Sequence, residues 1–327
     1  MAIKTFLLIL ALGLLFATPP LHSAERLRVA YPALAPGSSP LWVPLEKGIW
    51  KKHGLDVELI LLSGGGRAVP ALLSNSIQVL VGSDTGVIQA ITQGADVVRL
   101  GVTMNSLGNS LLTNPSIESV QQLKGKVLGV GLGRDASYAR LAKLLRDDGI
   151  NPATDVKFLP IGGGQGARLS ALKAGVIQGT MLFPPLDLVA SKEGLKVLQK
   201  LDVPTIGGGI NVTSDFLRQN RSALISFLKG YMEGIHYMIT HKGESLKIFA
   251  RYFQNPDLTT MAYLYDDVIS RVERGLQPNT ESVRFLIDIV AQDSPKAKQL
   301  SERDRWNLSL IEEIRRSGFV EQLYKKQ

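Results

Sequence analysis

The sequence predicts an α/β protein made of two similar domains, and three observations predict it. From Leu27 to Leu201, short apolar runs of strand length alternate with longer amphipathic stretches of helical length. The segment ALLSNSIQ (71–78) returns as ALKAGVIQ (171–178), with Ala71, Leu72, Ile77 and Gln78 matched by Ala171, Leu172, Ile177 and Gln178. A glycine cluster and an arginine precede each copy, ending at Arg67 and Arg168, and Gly94 and Gly194 follow. A period of about one hundred residues suits a small α/β domain and is too long for a solenoid unit. The length of 327 residues agrees, because roughly 150 residues per domain gives about two.

In order, the N-terminus reads as an export signal. MAIKTFLLILALGLLFATPPLHSAE carries one lysine, an uncharged run from Phe6 to Ala17, then prolines and small residues before Ser23 and Ala24. That run is too short to span a bilayer and fits a secretory hydrophobic region, so residues 1–24 are expected to be removed. The first α/β unit then runs LRVAY (27–31), PLWVPLEKGIWKK, LDVELILL (55–62), AVPALLSN, QVLVG, TGVIQAITQ and VVRLGVTM. After the polar stretch NSLGNS (105–110), a second unit follows with KVLGVGL (126–132), SYARLAKLLRDD, DVKFLP, ARLSALKAG, GTMLF and LKVLQKL. Ser137 is placed to cap the helix that Gly149 ends. VPTIGGGINV (203–212) is a second break, and amphipathic helices fill the remainder, including SERDRWNLSLIEEIRR. The breaks near 105 and 208 are hinge candidates.

Composition removes several classes of function. Hydrophobic content of 45% and charged content of 20% are those of a folded globular chain. The formal charge of +8 becomes +7 once Lys4 leaves with the signal, but the basic residues are interspersed with acids, which argues against nucleic acid. With no cysteine there is no disulfide, thiolate metal site or lipidated cysteine. GVGLGR has Arg134 where a dinucleotide fingerprint has its third glycine, and G-x-x-x-x-G-K-[ST] and G-x-S-x-G are both missing. His53 adjoins a helix-ending glycine, and His236 and His241 are five apart, off the spacing of one helical face. No cofactor, metal or catalytic residue is expected.

EKGIWKKHGLDVELILLSGGG, ALLSNSIQVLVGSDTGVIQAITQGADV, SVQQLKGKVLGVGLGRDAS and ALKAGVIQGTMLFPP, in that order and spacing, resemble the periplasmic substrate-binding proteins of ABC importers that serve nitrate, sulfonates, taurine and thiamine-precursor pyrimidines. The resemblance runs from about residue 27 to 290. It implies a bilobed type II periplasmic-binding fold with two crossovers. Residues 25–104 and 209–327 would form the first lobe with the C-terminal helices, and 105–208 the second. A monomer, an ABC permease partner and, through it, a cytoplasmic ATPase are likewise implied. The enzymes that share this fold, pyrimidine synthases with a cysteine-rich iron motif, are disfavoured by the lack of cysteine.

In open parallel sheets ligands bind beyond the carboxyl ends of strands, where helix starts offer backbone N–H groups. That rule selects Ser38, Ser39 and Trp42 after the first strand, and Ser63, Gly64 and Gly65 after the second. It adds Ser83, Asp84 and Thr85 after the third, and Asn105 at the crossover. In the second unit it selects Arg134, Ser137, Gly163, Gly164 and Phe183. Arg134 offers two parallel donors to a carboxylate or sulfonate, or else pairs with Asp135. Trp42 and Phe183 can stack on a ring or pack into the core; Asp84 can contact ligand or cap its helix. Glycine and serine loops, Arg134 and the positive charge favour a small organic anion. A neutral pyrimidine, or ligand sensing with a membrane sensor, remain alternatives.

Overall fold

The computed structural model describes residues 25–62, 65–132, 136–292, 294–301 and 303–325. Its described strands form one eight-stranded sheet in the order β2-β1-β3-β8-β4-β7-β5-β6. These are β1 Glu25–Tyr31, β2 Leu55–Leu61, β3 Val79–Val81, β4 Val97–Thr113, β5 Val127–Val130, β6 Lys157–Pro160, β7 Gly179–Leu182 and β8 Lys196–Thr213. β1 pairs in parallel with β2 and β3, and β5 with β6 and β7. The two parallel sets are joined by β4 and β8, which run antiparallel to each other along nearly their whole length.

This ribbon differs from the expectation at both breaks. NSLGNS and VPTIGGGINV do not leave the sheet but lie inside strands of 17 and 18 residues. Polarity did not end pairing because β4 and β8 satisfy each other's backbone groups. The irregularity that the polar residues signal is a register shift between Met104 and Ser106, a bulge of the kind that bends a ribbon.

Helices alternate with the strands as read: α1 Trp42–Glu46, α2 Ile49–Lys52, α3 Gly65–Leu73, α4 Asp84–Thr92, α5 Ala136–Asp147, α6 Gly164–Lys173 and α7 Leu186–Lys192. The stretch PLWVPLEKGIWKK splits into α1 and α2 at Gly48, whose φ of +63° the helix cannot accommodate. α8 Ser214–Gln219, α9 Arg221–Thr240, α10 Lys242–Phe253, α11 Leu258–Arg271, α12 Thr280–Ala291, α13 Ser309–Arg316 and α14 Phe319–Lys325 follow. Of SERDRWNLSLIEEIRR, only residues from Ser309 onward are helical. Asn307 N and Arg99 N bond instead across to Arg99 O and Arg305 O, closing the free edge of β4. Here an unpaired strand edge outcompeted helix propensity.

One core joins α1, α9, α10 and α11 to one face of β1, β3 and β8, and a second joins α3, α4 and α12 to the other face. Smaller cores lie under α5 and under α6 and α7. The hundred-residue repeat is structural. Gln78 Oε1 accepts Arg28 N at 2.9 Å, and Gln178 Oε1 accepts Val127 N at 3.1 Å. Gln78 N and Gln178 N return bonds to the carbonyls of those same residues. Ile77 and Ile177 are both buried. Each copy therefore ties the entry of its third strand to its first strand in the same way.

Candidate functional site

The carboxyl ends of β1 and β3 converge on Gly207–Gly209 of β8. Gly37 packs so closely on this segment that a Cβ there would meet Gly207 C at 3.0 Å. Thr103 Oγ1 donates to Gly208 O at 3.0 Å and lies 2.8 Å from Tyr231 Oη. Burial holds the Tyr231 hydroxyl well above the ordinary phenol range. Gly82 N donates to Gly209 O. The loop after β1 and the turn after β3 are thus both anchored on the glycine stretch of the ribbon.

At the turn after β3, Gly82 and Ser83 have φ of +107° and +55°. Ser83 carries a Cβ in the left-handed region, which persists only where the surroundings impose it. The imposing groups are visible. Asp84 Oδ1 accepts Arg99 Nη2 at 2.5 Å, and Asp84 Oδ2 accepts Gly209 N at 3.3 Å. Arg99 Nε donates to Asn211 Oδ1, whose amide Nδ2 donates to Leu80 O, Gly82 O and Gly209 O. The guanidinium also lies over the Trp306 ring at 4.3 Å. Burial pushes the Asp84 carboxyl upward, with the Arg99 charge opposing it. The Ser83 hydroxyl is itself buried and has no hydrogen-bond partner among the described residues.

Asp84 therefore does not cap α4 through its side chain, and each of its oxygens already accepts a bond, from Arg99 and from Gly209. Trp42 is likewise placed in the core: it is fully buried and stacks on Tyr252 at 4.5 Å and 9° between planes, so no ligand ring can stack on it. Asn105 is spent on the C-terminal segment, donating to Gln277 O and Glu273 and accepting Asn279 N. Ser39 Oγ donates to Pro36 O within its own turn. Ser38 is buried beside it, and Thr85 is partly exposed on the first turn of α4. Gly65 opens α3, while Ser63, Gly64 and Arg134 lie outside the described residues.

In the second half, Ser137 does not cap α5 from outside; it sits within the helix, and its Oγ accepts Gly131 N at 2.9 Å. Gly163 and Gly164, with φ of +85° and +75°, form the exposed start of α6. Phe183 is partly buried, and its N donates to Gln165 Oε1. Sequence reasoning missed Arg140, a buried arginine whose Nη1 lies 3.4 Å from Asn109 Oδ1 on β4. It also missed Arg99, although a lone charge inside the apolar strand VVRLGVTM was a legible sign. A cavity of about 280 Å³ lies between β4, the start of α7 and α11, lined in part by Asn109, Ser110, Pro184, Tyr263 and Arg271.

Two parallel half-sheets whose strand ends meet at a two-strand ribbon define the periplasmic-binding-protein class. The chain covers 88% of itself and 91% of the periplasmic aliphatic sulphonate binding protein SsuA from Escherichia coli, with a TM-score of 0.69 at 18% identity. It also resembles the periplasmic nitrate-binding protein NrtA from Synechocystis PCC 6803, covering 90% of itself and 89% of NrtA, with a TM-score of 0.66 at 13% identity. The NMT1/THI5-like family model matches residues 35–272, and the chain belongs to that family. YtlA of Bacillus subtilis, a protein named as a binding protein, is 25% identical over 226 residues, 64% of each chain. The match thus spans less than two thirds of YtlA's length.

Proposed function

We propose that this chain is the exported solute-binding component of an ABC importer and that it captures a small organic anion, a sulfonate or carboxylate, in the cleft between its lobes. Residues 1–24 serve as the signal. Residues 25–104 and 209–327 form the first lobe, 105–208 the second, and the ribbon at Met104–Ser106 and Gly207–Gly209 is the hinge. Closure on the ligand presents both lobes to a permease, whose ATPase supplies the energy. The family membership and the likeness to proteins named as sulphonate- and nitrate-binding support this reading.

The observation that carries the anion is the turn after β3. Ser83 holds a buried hydroxyl with no hydrogen-bond partner among the described residues at the start of α4, beside backbone N–H groups that have no partner within the helix. A hydroxyl donor at the positive end of a helix favours negative charge. Trp42 being sealed in the core removes one wall of the pyrimidine sandwich.

Native mass spectrometry of gently purified protein, followed by calorimetric titration with ethanesulfonate, butyrate, nitrate and a neutral aminopyrimidine, tests the reading. A retained or titrated sulfonate or carboxylate, weakened about tenfold by Ser83→Ala, is the expected result. Preferential binding of the aminopyrimidine, or no compaction in small-angle scattering at saturating ligand, sinks it.

A further inference from the structure

We propose that α11 is a strap across the two lobes, whose contacts with the second lobe hold the interlobe arrangement seen here. The proposal deepens the two-lobe reading above and rests on it. By packing, α11 belongs to the first lobe: Met261, Leu264, Tyr265 and Val268 are buried in the same core as α9 and α10. Thr260, Tyr263, Asp267 and Arg271, spaced at three and four, form another face of the helix. That face meets the second lobe and the ribbon.

The contacts run the length of the helix. At its start, Lys192 Nζ at the end of α7 lies 2.8 Å from Asp257 Oδ2 and donates to Thr260 Oγ1 at 3.1 Å. One turn on, Tyr263 Oη donates to Asp187 Oδ2 at 2.8 Å, the oxygen that also accepts Ser110 Oγ at 2.7 Å. Lys200 Nζ lies over the Tyr263 ring at 5.5 Å. At the far end, Arg271 bonds Asp267 on its own helix at 2.9 Å, Asp202 on β8 at 2.6 Å and Ser106 on β4 at 3.3 Å.

The chemistry of this seam is that of a releasable contact. Its members are hydroxyls, carboxylates and cations with the 280 Å³ cavity beside them, and no hydrophobic core among the described residues joins α11 to the helices of the second lobe, so parting the two sides breaks hydrogen bonds and ion pairs and divides no shared core. The members are unequal. Lys192 and Asp257 are each nearly half exposed, and such a pair contributes little. Asp187 is only 2% exposed, so the bond from Tyr263 is made where water competes least. Tyr263 is the residue on which the strap depends most.

The chain has no cysteine, so Asp56→Cys on β2 and Lys157→Cys on β6, both exposed, place one spin label on each lobe. Double electron–electron resonance is then recorded without added ligand for this parent and for Tyr263→Phe, Arg271→Gln and their combination, each checked for an unchanged circular dichroism spectrum. Gly208→Val serves as the hinge control, because a Cβ there would lie 2.5 Å from Gly37 O and 2.7 Å from Thr103 Oγ1. The expected result is a second interlobe distance whose population rises about tenfold in Tyr263→Phe and further in the combination. Unchanged distances in the strap variants, with a shift in Gly208→Val, overturn the strap and leave the two-lobe reading standing. Unchanged distances in every variant strike the two-lobe reading itself.

Discussion

The turn after β3 and the turn after β7 occupy the same place in the repeat, and each puts a largely buried aspartate in the first turn of the following helix. In the first α/β unit Asp84 faces the cation of Arg99 on β4. In the second, Asp187 faces the neutral hydroxyls of Ser110 on β4 and Tyr263 on α11, and its Oδ1 accepts Leu188 N. Both acids fasten a post-strand turn to the ribbon, but among the described contacts only Asp187 is also bonded to one of the C-terminal helices, α11. A duplicated α/β unit can thus keep its scaffold and change what its turns are tied to.

The largest expected effect breaks the symmetry from the side of the first α/β unit. Asp84→Asn leaves Arg99 buried without its counter-charge, and unfolding in urea should show a loss of about 3–5 kcal/mol. The equivalent Asp187→Asn keeps a carbonyl oxygen for two hydroxyl donors and should cost about 1 kcal/mol. Equal losses would mean that the two turns are held in the same way.

Arg99→Met sharpens the same contrast through pH. The Asp84 carboxyl that remains is buried with its opposing cation gone, so its folded pKa stands above the unfolded value of 3.8. A raised pKa contributes stability that is fully present below the unfolded value and lost as pH rises through the folded one. The variant should therefore trail the parent by more at pH 8 than at pH 5 in matched urea titrations. A gap that does not change with pH would show that the carboxyl is not the source of the loss.

The scaffold itself should prove equivalent. Gln78→Ala and Gln178→Ala each strip an acceptor from a backbone N–H of the first strand of their unit. Each should cost about 1–3 kcal/mol by the same urea measurement, and the two should agree within about 0.5 kcal/mol. A larger difference would make the repeat a likeness of shape without a likeness of energetics.

These contrasts also explain what could be read from the chain. The repeat, the alternation of strands and helices and the family resemblance were legible because hydrophobic period and glycine positions are local signals. Gln78 and Gln178 were visible as identities, although their role needs the first strand, 50 residues away, to be folded beside them. Trp42 stays open between cleft and core in the sequence because a loop-proximal tryptophan has the same local sequence whether it faces the cleft or meets Tyr31, Phe249, Tyr252 and Phe253, most of which lie over 200 residues away. Asp187 and Tyr263 are 76 positions apart, and nothing in either neighbourhood announces the other. Polar residues at 105–110 read as a break between the two units and coincide with the ribbon's bulge, since backbone pairing between β4 and β8 leaves no local trace.

The smallest expected effect concerns an element outside the repeat, the C-terminal helix α14, which packs on the core of the first α/β unit. Tyr324 packs edge-on against His236 at 5.0 Å and lies under Arg274, while Phe319 packs edge-on against His53 at 6.3 Å and under Lys229. Burial, with the charges of His241 and Arg274, lowers the His236 pKa from its ordinary 6.5, and Glu233 opposes them. The folded state thus favours the neutral ring, so this contribution is full above the unfolded pKa and is lost as pH falls toward the folded one. Amide exchange in α14 should accelerate by a few-fold relative to α9 between pH 7.5 and 5.5, after correction for intrinsic rates. His236→Phe keeps the aromatic edge contact and removes the proton, so it should abolish that acceleration. If it does not, the proton on His236 is not what releases α14, and the edge contact between Tyr324 and His236 is not its pH-sensitive point.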